Sequence, residues 1–293
     1  MGNSVVFNTH KFLSYMHRAM YRKFNKKAKK RLTSVFEYLD VPYSADANHK
    51  HKFDVYVPAS TGERMHPMLV YLHGGNYLTG DKTYSMEMAK KLASMGMVVF
   101  SCNYSLAPDY TMSKIETDVV MAIEEAMNIA ELYNADYNAV FVGGEGVGAG
   151  LASRTVANII AGKYADYLAD FIVGTIGIAG KYDLSLMKQK ENSLESKIVD
   201  TLIEDDNIEL YDSKKYITAK YPQTLVICGD KEVCEKESSD YVAVLKKKKV
   251  KHKYVTVEMN KEKTTVDTLC GKDTKACNTV TLAVKEFLKE ILG

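Results

Sequence analysis

A chain of 293 residues, 46% hydrophobic and 26% charged, is long enough to bury one large core and too polar to be a membrane-embedded bundle. Five cysteines, an odd number scattered along the chain, suit a reducing compartment and argue against a disulfide framework. No run approaches the roughly 18 apolar residues of a transmembrane helix, and the start lacks the cationic-then-apolar order of a secretory signal, so the cytoplasm is the expected location.

The net charge of +2 conceals an asymmetry. Nine basic residues lie between Lys11 and Arg31, and no acidic residue precedes Glu37. The other 30 basic residues face 37 acidic ones, so a +9 arm is joined to a −7 body. Phe12, Met16, Met20, Phe24, Ala28, Leu32 and Phe36 recur every four residues, which predicts an amphipathic helix. Residues 1–45 are therefore expected to form a basic helical arm or cap, and residues 46–293 the main domain. Residues 11–31 suit an anionic membrane surface or an acidic protein, so peripheral membrane association is an expectation too. No specific nucleic-acid motif is present. Gly2 is the residue that N-myristoylation requires, but Val6 departs from its Ser/Thr pattern.

Beyond the arm, strands and helices alternate, the pattern of a mostly parallel sheet covered on both faces. Phe53–Val57 is read as an early edge strand, ended by Pro58. Strands at 68–72, 97–102, 139–143, 171–178, 223–228 and 253–258 follow. Helices near 84–95, 114–133, 147–162, 236–247 and 278–292 connect or close them, with a further helix at Ser193–Asp205 in an insertion.

Four segments carry the chemistry. Met68–Leu72 is an apolar strand running into His73-Gly74-Gly75-Asn76, a signature whose backbone N–H groups form an oxyanion hole in lipases and esterases. Val98–Cys102 ends in Asn103-Tyr104-Ser105-Leu106-Ala107-Pro108. Val142-Gly143-Gly144-Glu145-Gly146-Val147-Gly148 has the frame of the Gly-x-Ser-x-Gly nucleophile elbow, with Gly146 in the serine's place. Ile176–Ala179 leaves into Gly180-Lys181-Tyr182-Asp183-Leu184. In order and spacing these segments resemble the α/β-hydrolase-3 group of hormone-sensitive-lipase-like esterases, kynurenine formamidase-like enzymes and prenylcysteine methylesterases, over residues 50–292. The resemblance implies an α/β-hydrolase fold, a mostly parallel sheet with helices on both faces and an N-terminal helical cap. It implies no cofactor and no metal.

It also implies a triad in the order serine, acid, histidine. The acid position falls on Glu232, with Asp230 as the alternative. The histidine position falls on Thr265, or on Asn260 if the implied insertion is not counted. No histidine occurs from Lys253 to Gly293, and His252 precedes the last strand, at the end away from the elbow. A triad works as a unit, so once its nucleophile is gone little retains its base. Glu145 is expected to point away from the pocket, and Cys102 and Cys228, at strand ends, are the candidates for a displaced nucleophile. Cys270 and Cys277 have no histidine beside them to complete a metal site.

The expected function is that of a non-catalytic protein derived from a carboxylesterase- or lipase-like hydrolase, acting by ligand, membrane-surface or protein binding. His73, Gly74, Gly75, Asn76 and Val147 would line a pocket for a small carboxylate, an ester-like molecule or another anion, aided by the positive end of the helix after Gly146. The alternative is an active ester or amide hydrolase with a cysteine nucleophile.

Overall fold

The computed structural model describes residues 34–46, 48, 50–59, 65–189, 193–203, 208–230, 234–258 and 275–293. Eight strands among them form one sheet in the order β1-β2-β4-β3-β5-β6-β7-β8. They are β1 (Val35–Pro42), β2 (Lys52–Pro58), β3 (His66–Leu72), β4 (Val98–Cys102), β5 (Ala135–Glu145), β6 (Ile172–Ile178), β7 (Gln223–Gly229) and β8 (His252–Val257). The first two strands pair antiparallel and β2 also runs against β4; every other pair is parallel. This is the doubly covered, mostly parallel sheet that the alternation of elements predicts.

Alternate side chains on each strand feed two separate cores. Met68, Val70 and Leu72 of β3 face one side, with Ile115, Val119 and Ile123 of α2 (Met112–Asn128), Leu151 and Val156 of α3 (Val147–Ile160), and Leu245 of α6 (Glu235–Lys247). Leu69 and Tyr71 face the other, with Ala89 and Leu92 of α1 (Met86–Ser94) and Val280, Val284 and Phe287 of α7 (Lys275–Leu292). Burial on both faces is why Met68–Leu72 of β3 reads as an unbroken apolar run and β4 as one broken only by the buried Ser101. The insertion after β6 holds two short helices, α4 (Leu184–Lys188) and α5 (Leu194–Leu202). No helix among the described residues is long and apolar enough to cross a membrane.

Two expectations are corrected. Phe53–Val57 is not at the edge of the sheet, because β1 pairs along its outer side, with Val35 opposite Pro58 and Val41 opposite Phe53. Residues 35–42, assigned by sequence to the helical arm, are that strand, so the sheet begins ten residues before the expected boundary at 45. Phe36 closes the four-residue repeat but sits on a strand, where Phe36 to Asp40 are all exposed. The rest of the stripe, His10, His17, His49 and the residues of the myristoylation pattern lie outside the described residues.

Helix α3 is the most deeply packed helix, with every residue from Val147 to Ile159 buried. Its small side chains set how closely it lies on the sheet. A Cβ on Gly148 would overlap the Leu72 and His73 carbonyl oxygens, and one on Gly150 would overlap the Lys181 carbonyl oxygen. Alanine normally stabilises a helix interior relative to glycine by about 1 kcal/mol. Here Gly150→Ala should instead destabilise by about 1–3 kcal/mol in urea titrations, because the added methyl meets backbone that cannot swing away.

Candidate functional site

Strand β5 ends at Glu145, and the chain turns at Gly146 with φ 55° and ψ −124° before α3 begins at Val147. A positive φ with that ψ costs an L-residue about 1–3 kcal/mol and is seldom held outside a functional turn. The turn is fixed by two backbone bonds, Gly146 N–H to Ile178 O at 3.0 Å and Lys181 N–H to Gly146 O at 2.9 Å. A Cβ placed on Gly146 would find only the Gly74 Cα within 4 Å, at 3.8 Å. The elbow therefore has its sharp geometry, and among the described residues no other atom stands over its apex.

The loop after β3 lies over this apex. Gly75 has φ 125°, and a Cβ there would overlap the Thr79 carbonyl oxygen, so only glycine fits. Asn76 and Tyr77 follow in the left-handed region at φ 54° and 60°. Leu78 N–H and Thr79 N–H both donate to Gly75 O, at 3.2 and 3.0 Å, and the Tyr77 hydroxyl donates to Val147 O at 3.3 Å. That last bond ties the loop to the first turn of α3. Gly74, Gly75 and Asn76 are half-buried, as is Gly146, and Gly74 lies beside it.

His73 takes a different place from the one expected. Its side chain is fully buried, stacks on Tyr104 with ring centroids 4.3 Å apart, and has Nδ1 2.7 Å from Gly74 O. The Tyr104 hydroxyl donates to His73 O at 2.6 Å. His73 thus supports the loop from behind, and only the backbone around it is available to a ligand. Burial lowers its imidazole pKa to about 4.

Glu145 points away from the apex, as expected: its carboxylate accepts from Tyr71 Oη at 3.0 Å and Ser85 Oγ at 2.8 Å. The sequence reading missed Lys181. Its backbone braces the elbow, and its ammonium reaches the loop after β3, 3.0 Å from Asn76 Oδ1. The cue was the Gly-Lys-Tyr-Asp-Leu loop itself, but only the fold brings residues 105 positions apart together. Beside Lys181 a narrow cavity is lined by Tyr77, Arg154, Tyr182, Leu184 and Tyr211. The Arg154 guanidinium is already engaged, by a buried ion pair with Glu116, a 3.0 Å bond to Leu210 O and the face of Tyr211.

The cysteine alternative finds no support in the geometry. Cys102 is fully buried, donates to Phe100 O at 3.3 Å, and has its thiol pKa pushed up by burial. Cys228 is equally buried, 3.9 Å from the Cys234 sulfur. A thiol in apolar surroundings is inert. Asp230 follows β7, with its amide bonded to Val257 O at 3.0 Å, whereas Glu232, Asn260, Thr265 and Cys270 lie outside the described residues. Cys277 is buried in α7, within 2.9 Å of Lys91 Nζ.

The described histidines are held elsewhere. His51 Nδ1 pairs with Asp46 at 2.7 Å and Nε2 with Asp118 at 3.1 Å; His66 Nδ1 lies against Gly96 O and His252 Nδ1 against Val250 O. His252 opens β8, at the end of the sheet opposite the elbow, as expected.

Comparison with known proteins agrees with this architecture. Residues 69–264 match the α/β-hydrolase-3 family, described as an alpha/beta hydrolase fold. Kynurenine formamidase from Salmo salar is 33% identical over 151 residues, 50% of this chain and 46% of that protein. An isoprenylcysteine alpha-carbonyl methylesterase from Arabidopsis thaliana is 24% identical over 139 residues, 46% of this chain and 32% of that protein. The matched segment thus spans about half or less of each relative's length. Esterase B from Lactobacillus rhamnosis, in a phosphonate-inhibited crystal structure, superposes with a TM-score of 0.77 at 15% identity, covering 94% of both chains.

His73 gives the site a pH signature. Its folded pKa of about 4 lies below the ordinary 6.5, so between those values the unfolded chain binds a proton that the folded chain does not. Stability should be full above pH 6.5 and fall as pH drops towards 4, by up to about 3 kcal/mol from this group. Denaturation midpoints across that range should have a shallower slope in His73→Asn.

Proposed function

Because the chain belongs to the α/β-hydrolase-3 family, we propose that it is a non-catalytic member that binds a ligand at the elbow pocket and does not cleave it. The observation that carries this reading is Gly146: it holds the nucleophile's strained backbone and has no side-chain atom able to attack. Loss of the base agrees, since no histidine occurs from Lys253 to Gly293, His51, His66 and His252 are engaged away from the elbow, and His73 is sealed under the loop against Tyr104.

What remains favours binding an oxygen that carries negative charge. The Gly74, Gly75 and Asn76 amides adjoin the apex, and the first turn of α3 brings the positive end of its dipole to the same point. Lys181 adds a full cation at the rim. A small carboxylate or an ester-like carbonyl fits these donors. Sealed thiols at Cys102 and Cys228 count against covalent catalysis by another route.

Hydrolysis of p-nitrophenyl acetate tests the proposal. An oxyanion hole and binding alone leave about 10³ to 10⁴-fold acceleration over water, and turnover by this chain should not exceed that. Gly146→Ser should fold, at a cost of about 1–3 kcal/mol for a side chain at this φ, and its turnover should stay in the same range because nothing takes the serine proton. Turnover by the unaltered chain well above that range, abolished by a thiol reagent, would overturn the reading in favour of a cysteine hydrolase.

A further inference from the structure

Two buried thiols stand where β7 gives way to α6. Cys228 is the last residue but one of β7, and Cys234 caps α6, its carbonyl accepting from Ser238 N–H at 2.9 Å. Six positions separate them in sequence, and their sulfurs lie 3.9 Å apart. Burial disqualifies Cys228 as a nucleophile towards an ester, but it is no bar to meeting a sulfur already beside it. Cys234 is the outer of the two, 4% exposed against 0%. It also sits at the N-terminus of a 13-residue helix, whose leading N–H groups and dipole favour a thiolate.

The start of α6 grips the loop that braces the elbow. Glu237, in its first turn, accepts from the backbone N–H groups of Tyr182 at 2.9 Å and Asp183 at 3.3 Å. Tyr241, one turn further on, stacks on the Tyr182 ring with centroids 4.0 Å apart. Burial, then Tyr221 and the two sulfurs, hold the Tyr182 hydroxyl well above the usual phenol range, so the thiols lie close to that ring. Tyr182 follows Lys181, whose N–H donates to Gly146 O at 2.9 Å and whose ammonium is 3.0 Å from Asn76 Oδ1. A line of packed contacts runs from the sulfurs to the pocket mouth.

We propose that Cys228 and Cys234 are a redox pair, and that a disulfide between them loosens Lys181 from the pocket mouth. The oxidant is a hydroperoxide such as hydrogen peroxide, little larger than water. The Cys234 sulfur attacks one peroxide oxygen, the O–O bond breaks, and a sulfenic acid forms as the first water leaves. Cys228 then attacks that sulfur, the S–S bond forms, the S–O bond breaks and the second water leaves. The two thiols lose two protons and two electrons, and the peroxide becomes two waters.

The sulfurs must close from 3.9 Å to about 2.05 Å for the bond to form. Drawing Cys234 towards β7 shifts the first turn of α6, and Glu237 with it, relative to the Tyr182 and Asp183 amides. A closely packed interior passes that shift on, and Lys181 loses its brace.

Peroxide treatment of the full chain, followed by tryptic mapping without reductant, tests the bond. Cleavage after Lys220, Lys231 and Lys236 puts Cys228 in residues 221–231 and Cys234 in residues 232–236. The two peptides should appear joined, lighter than their sum by the two hydrogens lost. Acetylation of lysines tests the consequence. Lys181 should label about threefold faster or more in the oxidised chain and return to its starting rate after dithiothreitol, which leaves methionine sulfoxide in place. Cys234→Ala should show neither effect, and reduced Glu237→Ala should label Lys181 as the oxidised parent does. Absence of the joined peptide, a joined peptide with unchanged Lys181 labelling, or Glu237→Ala that labels as the reduced parent does, would overturn the proposal. Weaker binding of butyrate by the oxidised chain is a further expected result, and it alone rests on the pocket reading proposed above. A reduced chain that binds no butyrate sinks that reading, while the joined peptide and the Lys181 rate still decide the redox pair.

Discussion

The close approach of α3 to the ends of β3 and β5 is the contact on which the site depends. The carbonyl oxygens of Leu72 and His73 lie where Cβ atoms on Gly144 or Gly148 would be, and Gly143 meets the Ile176 carbonyl in the same way. A buried backbone contact of this kind cannot relax by turning a side chain, and interiors packed to crystalline density transmit the strain. The glycine frame of the elbow is thus required by packing whether or not anything is cleaved. That separates two facts that the motif merges. The flanking glycines are architectural, and only the apex residue bears on chemistry. Gly146 is the one position in the frame where a side chain would meet no backbone within 3 Å.

The same contact accounts for much of the loop above. Once α3 is seated, Tyr77 bonds to its first turn, Gly75 takes φ 125° against Thr79, and His73 is sealed under the loop against Tyr104. An imidazole held at a pKa of about 4 by burial is neutral at any ordinary pH, so it contributes shape and a hydrogen bond, with no charge. The charge at the rim comes from Lys181, whose backbone braces Gly146 while its ammonium reaches Asn76. Positive charge thus stands at the mouth, with a neutral imidazole behind the loop.

How much of this the sequence carries follows from burial. The central strands are apolar on both faces, so their limits are legible to within a residue or two, except that β5 begins at Ala135, four residues before the expected 139, because its opening residues, Asp136 to Asn138, are polar or exposed. β1 is not, because its side chains are exposed and the four-residue repeat of the arm runs through Phe36 into the strand. Pairing with β2 decides its structure, and pairing is a long-range property. The elbow, the oxyanion loop and the direction of Glu145 are legible because local glycines and a strand-to-helix turn define them. Lys181 is not, since its role is a contact across 105 residues. Nor is the inward placement of His73, because a histidine beside two glycines reads equally well as a ligand group and as a buried brace.

Topology gives the molecule two unlike ends. The C-terminal ends of the parallel strands carry the pocket, and the N-terminal ends carry exposed Leu132, Tyr167 and the lysines after α6. In a doubly wound sheet a ligand enters at the carboxyl ends of the strands, the end where Lys181 meets Asn76. An anion dissolved in the aqueous phase meets Lys181 directly. On the reading proposed above, the Lys181 ammonium beside Asn76 favours a small anion over a neutral ligand at the pocket mouth.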